Sequence, residues 1–408
     1  MQSVDALDIL MNLKNTRPYY QPIISADSHN IYGYEVLGRI KTEQGVKSLG
    51  SFFHDSHVPN EYKREVDEHL VKIALEEFLS HNQDAALFLN INPNIIMEDT
   101  GERFVRMLSS YQDQGLRLDQ IVIEITEHEY RGDISRLAHL IRYLQTLGIK
   151  IALDDVAKGS SNLDRIGILE PDLFKIDIHS LNYNEKTISH HGVLYSLSHL
   201  ARKIGADLIF QGIETVHQLH DSLRQHGRYF QGYFLAGPER SFLPVDHFKD
   251  RFREAVHQFI LHERTKIQRR YNLANELNNR IHLALKETKK QTNLDNWMVA
   301  IAHQISDCCF RIYICDQDGF QQTSNGVLQK DKWVLHSEYK GKNWSWRPYF
   351  MENIFRMNDE QKGILSDIYS DIETGELIRT FSYPLNTRLY LFMDLPHSFL
   401  YEHDIIAW

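Results

Sequence analysis

The first 240 residues alternate between short apolar runs and longer amphipathic stretches. The apolar runs, which favour β-strands, are YYQPII, YGYEVLGRI, ALFLNIN, IVIEIT, KIALDD, LFKIDI, DLIFQGI and YFQGYFL. Between most of them, segments such as VDEHLVKIALEEFLSH and ISRLAHLIRYLQTLG place apolar residues at helical spacing. This rhythm predicts an α/β fold, and eight strand signals favour a (β/α)8 barrel over an open doubly wound sheet. The short polar SADSHN between the first two runs predicts an irregular opening hairpin.

A long charged stretch without Gly or Pro follows the predicted barrel, from about residue 246 to 292. Apolar residues recur in it every seven positions: Ile260, Ile267, Ala274 and Ile281. This spacing is typical of a long helix with an apolar seam. Two arrangements are compatible with it, a dimeric coiled coil and a helix that packs on the barrel and on the next domain. In both, the segment connects two domains.

The last part of the chain has a different pattern. A helical stretch, WMVAIAHQISDCC, precedes strand-like runs that are divided by Asp-Gly, Glu-Thr-Gly and Pro-Leu-Asn turns. The pattern predicts a small α+β domain with an antiparallel sheet. The predicted organisation is therefore a barrel over 1–245, a connector helix over 246–294 and an α+β domain over 295–408.

Composition narrows the classes of function. A net charge of −10, from 45 Lys and Arg against 55 Asp and Glu, argues against nucleic-acid binding. No apolar run approaches the roughly 20 residues of a membrane span, and the first residues lack a secretory signal. The three cysteines, Cys308, Cys309 and Cys315, form neither a disulfide framework nor paired zinc spacing. We therefore expect a cytoplasmic protein without a membrane or nucleic-acid partner.

Polar residues collect at the ends of the predicted barrel strands. They are Glu35, Asn90, Glu124, Glu127, Asp154, Asp155, Lys175, Asp177, Gln211, Glu214 and Gln231. In a (β/α)8 barrel the carboxyl ends of the strands meet at one face, and that face carries the active site. We therefore expect these side chains to lie close together.

So many carboxylates at one face require cations to neutralise them. Oxygen donors without Cys or His suit Mg²⁺, Mn²⁺ or Ca²⁺, and together with a lysine they indicate a two-metal phosphodiester site. The residues also allow simpler roles: a carboxylate after a strand caps the next helix, Glu35 pairs with Arg39, and Lys175 pairs with Asp177. Helix caps do not account for the whole ordered set, which favours the metal site.

The same residues carry a resemblance to a known family. EVLGR at 35–39 resembles the E-A/V-L-x-R signature of the EAL domains, the cyclic-di-GMP phosphodiesterase family. IEITE, LDDVAKGSSNL, PDLFKID, FQGIET and FQGYFLAGP resemble further motifs of that family in the same order, over about residues 15–240. The long helix and the small sheet domain resemble the YkuI-type EAL proteins, in which this domain is PAS-like or Cache-like.

The resemblance implies a homodimer that binds cyclic-di-GMP with Mg²⁺ or Mn²⁺, Ca²⁺ being an inhibitory alternative. The implied metal ligands are Glu35, Asn90, Glu124, Asp154 and Asp155, and the implied catalytic residues are Lys175, Gln211 and Glu35. Arg39 would grip a phosphate, because its fixed fork of donors suits two oxygens. The implied nucleotide-site residues are Leu37, Asp172, Asp177, Gln231 and Pro238. Glu127 and Glu214 would support the loop beside the metals.

Two departures from the family pattern bear on activity. Gln211 replaces a glutamate to which the family assigns second-metal binding or general-base work, and an amide cannot accept a proton. Val156, Ala157 and Ser160 alter the loop after Asp155. We therefore expect a receptor with weak or absent hydrolysis. The alternatives are an active phosphodiesterase that yields linear pGpG, with Glu214 replacing the missing base, and a scaffold for protein contacts.

The C-terminal domain offers one further candidate site. Trp344, Trp346, Arg347 and Tyr349 cluster in the sequence, near an acidic stretch with Asp367 and Asp371. These residues are compatible with a packed core and a surface ion pair, and also with a pocket for an unidentified small molecule.

Overall fold

The chain divides into two units, Met1–Gln258 and Phe259–Trp408. The computed structural model describes residues 6–81, 84–126, 129–156, 163–181, 188–288, 293–347 and 350–403. The division falls inside the long charged stretch, most of which is one helix. Among the described residues, no helix combines the length and the apolar composition that a membrane span requires.

The first unit contains the predicted barrel. Its strands are β1 Thr16–Ser25, β2 Ile31–Thr42, β3 Gly45–Ser48, β4 Ala86–Asn90, β5 Ile121–Ile125, β6 Lys150–Leu153, β7 Leu173–Asp177, β8 Asp207–Gln211 and β9 Tyr229–Phe230. They pair in the order β1-β9-β8-β7-β6-β5-β4-β2-β3, and an additional pairing of β1 with β2 closes the sheet. β1 runs antiparallel to its neighbours and the strands from β4 to β9 are parallel. The barrel prediction is confirmed, including its irregular hairpin, in which the β1–β2 register shifts between Ile23 and Ile24.

Helices surround this barrel. They are α1 Ala6–Met11, α2 Gly50–His54, α3 Asn60–Ser80, α4 Pro93–Ile96, α5 Glu102–Gln112, α6 Ile134–Thr146, α7 Leu163–Leu169, α8 Ile188–Ile204 and α9 Val216–Arg224, followed by α10 Lys249–Glu287. Capping residues mark the start of several of these helices. At α9, Thr215 and Gln218 form a reciprocal capping box. Phe252 and Ala255 at the start of α10 are buried in the core of this unit.

One buried carboxylate interrupts an otherwise apolar strand of the barrel. β5 is buried along its whole length, because a parallel strand covered on both faces excludes water. Its sequence IVIEI is accordingly apolar except for Glu124, which is 2% exposed. A carboxylate in such a strand requires a charged or polar neighbour, and the neighbouring strand ends supply several.

The second unit is an antiparallel sheet with helices. Its elements are α11 Leu294–His303, β10 Arg311–Asp316, β11 Asn325–Gln329, β12 Lys332–His336, α12 Phe350–Glu360, β13 Ile364–Leu365, β14 Tyr369–Ser370, β15 Leu377–Pro384, β16 Leu389–Leu395 and α13 His397–Glu402. The strand order is β12-β11-β10-β16-β15-β13, and β14 pairs with β15. The prediction of a small antiparallel α+β domain is confirmed.

The seven-residue repeat of α10 does not behave as one seam. Ile281 is fully buried in the core of the second unit, together with Leu277 from the same helix. Ile260 and Ile267 are 40% and 49% exposed. Packing within the unit therefore accounts for the last part of the repeat. Its exposed part leaves the coiled-coil arrangement as a prediction.

Candidate functional site

Lys175 lies at the centre of the polar cluster inside the barrel. It projects from β7 and its side chain is 0% exposed. Its Nζ lies 2.6 Å from Glu124 Oε1 and 3.1 Å from Glu35 Oε2. Burial alone would lower the pKa of Lys175, but the charges of Glu124, Glu35 and Asp154 outweigh it and raise the pKa. The lysine is therefore a fixed cation at neutral pH.

Glu35, near the middle of β2, is held by amides as well as by Lys175. Asn90 Nδ2, at the end of β4, donates to Glu35 Oε1 at 2.9 Å. Gln231 Nε2, just after β9, donates to Glu35 Oε2 at 2.6 Å. Burial alone would raise the pKa of Glu35, but Lys175 and these two amides lower it. Glu35 is therefore a carboxylate with a fixed orientation.

Glu124 is less well satisfied. Apart from the ion pair with Lys175, neither of its buried oxygens accepts a well-directed hydrogen bond. Burial first, and then the negative charge of Glu35, raises the pKa of Glu124 well above its usual value. A buried carboxylate with two poorly satisfied oxygens is stabilised by a cation. The oxygen donors around it, without Cys or His, fit a hard divalent ion.

The arrangement is nevertheless not a ready coordination shell. Among the described residues, no three His, Cys, Asp or Glu side chains are grouped so that they could hold a metal by themselves. Lys175 stands among the carboxylates and compensates part of their charge, and the amides of Asn90 and Gln231 donate hydrogen bonds to Glu35. A metal in this site would rely on Asn90 as a neutral ligand and on a shift of the Lys175 contacts.

Asp154, directly after β6, contacts the residue that departs from the family pattern. Gln211 Nε2 donates to Asp154 Oδ1 at 2.9 Å, and the backbone N–H of Asp155 donates to the same oxygen at 2.8 Å. Burial raises the pKa of Asp154. Asp155 has a φ of +56°, a conformation that non-glycine residues adopt mainly where a site requires it. The amide of Gln211 thus occupies an oxygen that a glutamate would repel.

A cavity of about 270 Å³ opens over this cluster. The predicted residues that line it are Glu35, Leu37, Arg39, Asn90, Glu124, Asp154 and Asp155. Arg39 Nη1 donates to the Gly38 carbonyl and to Ser48 Oγ, and no acidic side chain among the described residues pairs with it. The cavity therefore combines an anionic cluster with a guanidinium that has no acidic partner, which suits a phosphate ester held beside a metal.

Sequence reasoning missed several residues in the wall of this cavity: Phe53, His54, Lys63, Asp67 and Glu129. They lie on α2, α3 and loops rather than at strand ends, so the search for polar strand ends could not find them. Asp67 carried a usable signal, because it stands between apolar positions Val66 and Leu70 on the buried face of α3. A carboxylate on an apolar face often marks a site.

Seven predicted residues among those that the structure describes do not line the cavity. Three of them, Lys175, Gln211 and Gln231, contact the carboxylates of the cluster instead. The other four are Asp172, Asp177, Glu214 and Pro238. Asp172 precedes β7, at the amino end of the barrel strands, where its Oδ2 accepts from Ile151 N and Gln145 Nε2. Asp177 accepts from the backbone N–H of His179, and Glu214 lies 3.5 Å from His179. Pro238 lies in the segment after β9. The structure therefore does not bring Asp172 to the face at which the carboxyl ends of the strands meet, and Glu127 lies outside the described residues.

A second cavity of about 580 Å³ adjoins the first and shares a wall with it. The shared wall is formed by Asp67, Ile91, Asn92 and Ile95. Burial raises the pKa of Asp67 to about 7, and the nearby charge of Glu68 contributes. The two cavities together offer a long, partly apolar space next to the cluster, with a carboxyl group between them.

Asp67→Asn is expected to change how stability depends on pH. Because the pKa of Asp67 is about 7 in the fold and about 4 in the unfolded chain, wild-type stability falls as pH rises from about 4 to about 7. The Asn variant lacks this loss. The difference between its free energy of unfolding and that of the wild type should therefore grow in favour of the variant between about pH 4 and about pH 7 and then level off. Urea unfolding of both proteins at about pH 5 and about pH 8 measures it, with exposed Glu65→Gln as the control. If the free energies of unfolding of the variant and the wild type differed by the same amount at both pH values, the prediction would be wrong.

Two family profiles match the chain. The EAL domain family matches residues 4–238, and a family described as an EAL-domain associated signalling protein domain matches residues 242–407. The chain is 48% identical over 403 residues to the uncharacterized EAL-domain containing protein YkuI of Bacillus subtilis (strain 168), across 98% of this chain and 99% of that protein. It is 28% identical over 239 residues, 55% of this chain and 43% of the relative, to the probable cyclic di-GMP phosphodiesterase PdeB of Escherichia coli (strain K12).

A solved structure resembles the whole chain. It is the crystal structure of Bacillus subtilis YkuI in complex with the substrate cyclic-di-GMP and calcium, with a TM-score of 0.93 and 47% identity over 97% of this chain and 100% of that one.

Proposed function

The chain belongs to the EAL-domain family, and we propose that it is a cyclic-di-GMP receptor that binds the nucleotide with divalent ions and hydrolyses it slowly or not at all. The observation that carries this proposal is the hydrogen bond from Gln211 to Asp154. It places a neutral amide, which cannot accept a proton, against a carboxylate of the candidate metal cluster.

The binding half of the proposal rests on the first cavity. Glu35, Asn90, Glu124 and Asp154 present oxygen donors beneath it, and Asp155 lines its wall. A divalent ion held there would neutralise these carboxylates and polarise a phosphoryl oxygen. Support comes from the Bacillus subtilis relative, whose structure holds cyclic-di-GMP and calcium.

The chain's own residues would orient the ligand. Arg39 presents a guanidinium without an acidic partner, which suits two oxygens of one phosphate. Lys175 keeps Glu35 and Glu124 in place and supplies the positive charge expected of a residue that orients water. Asp67, in the wall between the cavities, is a carboxyl group that could accept from the N–H groups of a base.

Weak hydrolysis follows from the groups around Asp154. A general base contributes roughly 10²–10⁴ to a rate, and Gln211 cannot act as one. Glu214, the alternative base, lies on the loop after β8, 3.5 Å from His179, and its side chain is 52% exposed, whereas Gln211 contacts the cluster through Asp154. The position of Glu214 supports the receptor over the enzyme.

The second candidate is an active phosphodiesterase that opens the ring to linear pGpG under control of the C-terminal domain. The observation in its favour is that Lys175, Glu35, Glu124 and Asp154 are assembled in one cluster, which a pure scaffold would not require. Affinity and turnover measured on one preparation with Mg²⁺, Mn²⁺ and Ca²⁺ separate the candidates. Rapid turnover would reject the receptor, and absence of nucleotide binding would reject both.

Glu124→Gln is expected to abolish metal-dependent binding of cyclic-di-GMP. The variant removes the charge that lacks hydrogen-bond partners, so affinity should fall by at least roughly 10- to 100-fold, the loss caused even by residues that only support a metal ligand. Calorimetric titration with the nucleotide and Ca²⁺ measures it, and exposed Glu61→Gln on α3 is the matched control. Unchanged affinity would show that Glu124 does not hold the ion.

We also propose that the protein acts in the cytoplasm as a homodimer, and that its C-terminal unit senses a small molecule.

The candidate pocket of the C-terminal unit has Tyr313, Trp344, Arg347 and Phe392 among its lining residues, with the Arg347 guanidinium 4.7 Å from the Trp344 ring. Its volume is about 10 Å³, room for about one water, so a ligand would have to open it. Asp371 pairs instead with Arg311, and Tyr349 lies outside the described residues.

A further inference from the structure

Lys63 is a cation in the wall of the first cavity that has no assigned role. It lies in the first turns of α3, and the residue as a whole is 6% exposed. It lines the cavity together with Arg39 and His54. No hydrogen bond or ion pair joins its Nζ to any described residue. Burial lowers the pKa of Lys63, while the more distant charges of Asp55 and Glu129 oppose this.

The neighbouring cations differ from Lys63 because they have acidic partners. Arg64, the next residue, pairs with Glu98. His54 lies 3.6 Å from Glu129, whose hydrogen bond raises the pKa of the imidazole. Among the described residues of the cavity wall, Arg39 and Lys63 are therefore the cations without a carboxylate partner. The Lys63 ammonium faces the cavity without a counter-ion, so a ligand that enters the cavity can supply an anion to it.

We propose that Lys63 binds the second phosphodiester of the cyclic dinucleotide, the one that is not held by the metal cluster and Arg39. This inference rests on the proposed function. A cyclic dinucleotide carries two phosphodiesters on one ring, and the cavity wall offers two uncompensated cations on different elements, β2 and α3. Lys63 is thus a positioning residue for the ring rather than a catalytic residue.

Lys63→Met tests the assignment because methionine keeps the unbranched apolar part of the side chain and removes its charge. A hydrogen bond to a charged group contributes enough that we expect about 10- to 100-fold weaker binding of cyclic-di-GMP in the presence of Ca²⁺. Lys63→Arg should restore most of the affinity, and Lys203→Met, at an exposed position of α8, should leave it unchanged. Binding of Mn²⁺ alone should be the same in all four proteins.

The ligand-free melting temperature provides a readout that separates positioning from folding. Since the variant keeps most of the buried apolar stem and removes a charge that has no partner in the ligand-free protein, we expect no decrease in the melting temperature of Lys63→Met. Weak nucleotide binding together with a lower melting temperature would make Lys63 a structural residue and overturn the proposal.

A modified ligand separates phosphate from base recognition. With 7-deaza cyclic-di-GMP, which keeps both phosphates but lacks the N7 acceptor, the loss caused by Lys63→Met should be the same as with the parent ligand. A loss that disappears with the modified ligand would assign Lys63 to the base and overturn the proposal. Wild-type protein that binds neither ligand would reject the proposed function itself, whereas tight wild-type binding with an unaffected Lys63→Met variant would reject only the role of Lys63.

Discussion

Gln211→Glu is expected to raise cyclic-di-GMP hydrolysis at least about tenfold in Mg²⁺ or Mn²⁺, and at most by the roughly 10²–10⁴-fold that a general base contributes. In the present fold the Gln211 amide donates to Asp154 Oδ1 at 2.9 Å. A carboxylate at the same place would repel Asp154, and a second cation between them would relieve the repulsion. The substitution therefore supplies both a proton acceptor and a ligand charge.

Turnover and metal stoichiometry should change together. We expect calorimetry to count one more divalent ion per chain in Gln211→Glu than in wild type, and chromatography of the product to record faster formation of linear pGpG. Gln211→Met is the matched control, because it removes the amide without adding a base or a charge. It should show neither gain.

An unchanged rate in Gln211→Glu would show that Gln211 does not limit the reaction. The remaining departure from the family pattern is then the loop that begins at Val156, whose backbone N–H donates to the Lys175 carbonyl at 3.1 Å. A rate that rises equally in the Met variant would contradict the general-base argument, because methionine cannot accept a proton.

The second large effect concerns the C-terminal unit. Arg311→Met is expected to lower its free energy of unfolding by about 3–5 kcal/mol, the cost of leaving buried charges without their partner. The Arg311 side chain is 9% exposed and contacts Asp371, Asp394 and Glu373 at 2.8–3.0 Å. Asp371 and Asp394 are 6% and 2% exposed, so water cannot replace the guanidinium.

The loss should also depend on pH. Burial alone would raise the pKa of Asp371, but Arg311 and Thr374 lower it to about 2. The stability that Asp371 contributes is therefore complete above its unfolded pKa of about 4 and is lost as pH falls through about 2. In Arg311→Met this part of the acid transition should disappear.

Urea unfolding followed by tryptophan fluorescence measures both effects, with the two units treated as separate transitions. Arg270→Met is the control, because its partner Asp367 is 91% exposed and such a pair contributes roughly 0–1 kcal/mol. A loss in Arg311→Met no larger than in this control would contradict the buried network.

Much of the first unit followed from local patterns. The apolar runs matched β1, β2 and β4 to β9, because a strand buried on both faces has to be apolar wherever it occurs. The polar cluster was predictable for a related reason: in a parallel barrel the carboxyl end of each strand reaches the same face. Glu35, Asn90 and Lys175 could be assigned to one site without any knowledge of distances.

Contacts between distant segments could not be predicted in this way. The sequence contains no sign that Lys63 lacks a partner or that Arg311 meets three carboxylates from a turn and a strand. Asp172 resembles a site residue in its motif, yet it stands before β7 rather than after it. Which end of a strand a residue occupies is decided by the register of the strand with its neighbours.

The amino-acid order alone determined the barrel, the polar cluster at the carboxyl ends of its strands and the neutral residue at position 211. Each of these depends on residues that are near one another along the chain or that repeat with a regular period. Only the tertiary structure decided which cations in the cavity wall lack a carboxylate partner and which oxygen accepts the hydrogen bond of the Gln211 amide, because closure of the sheet and packing of α2 and α3 bring these groups together. These outcomes depend on distances of a few ångströms between residues that are far apart in sequence, and Coulomb and hydrogen-bond energies change steeply over such distances.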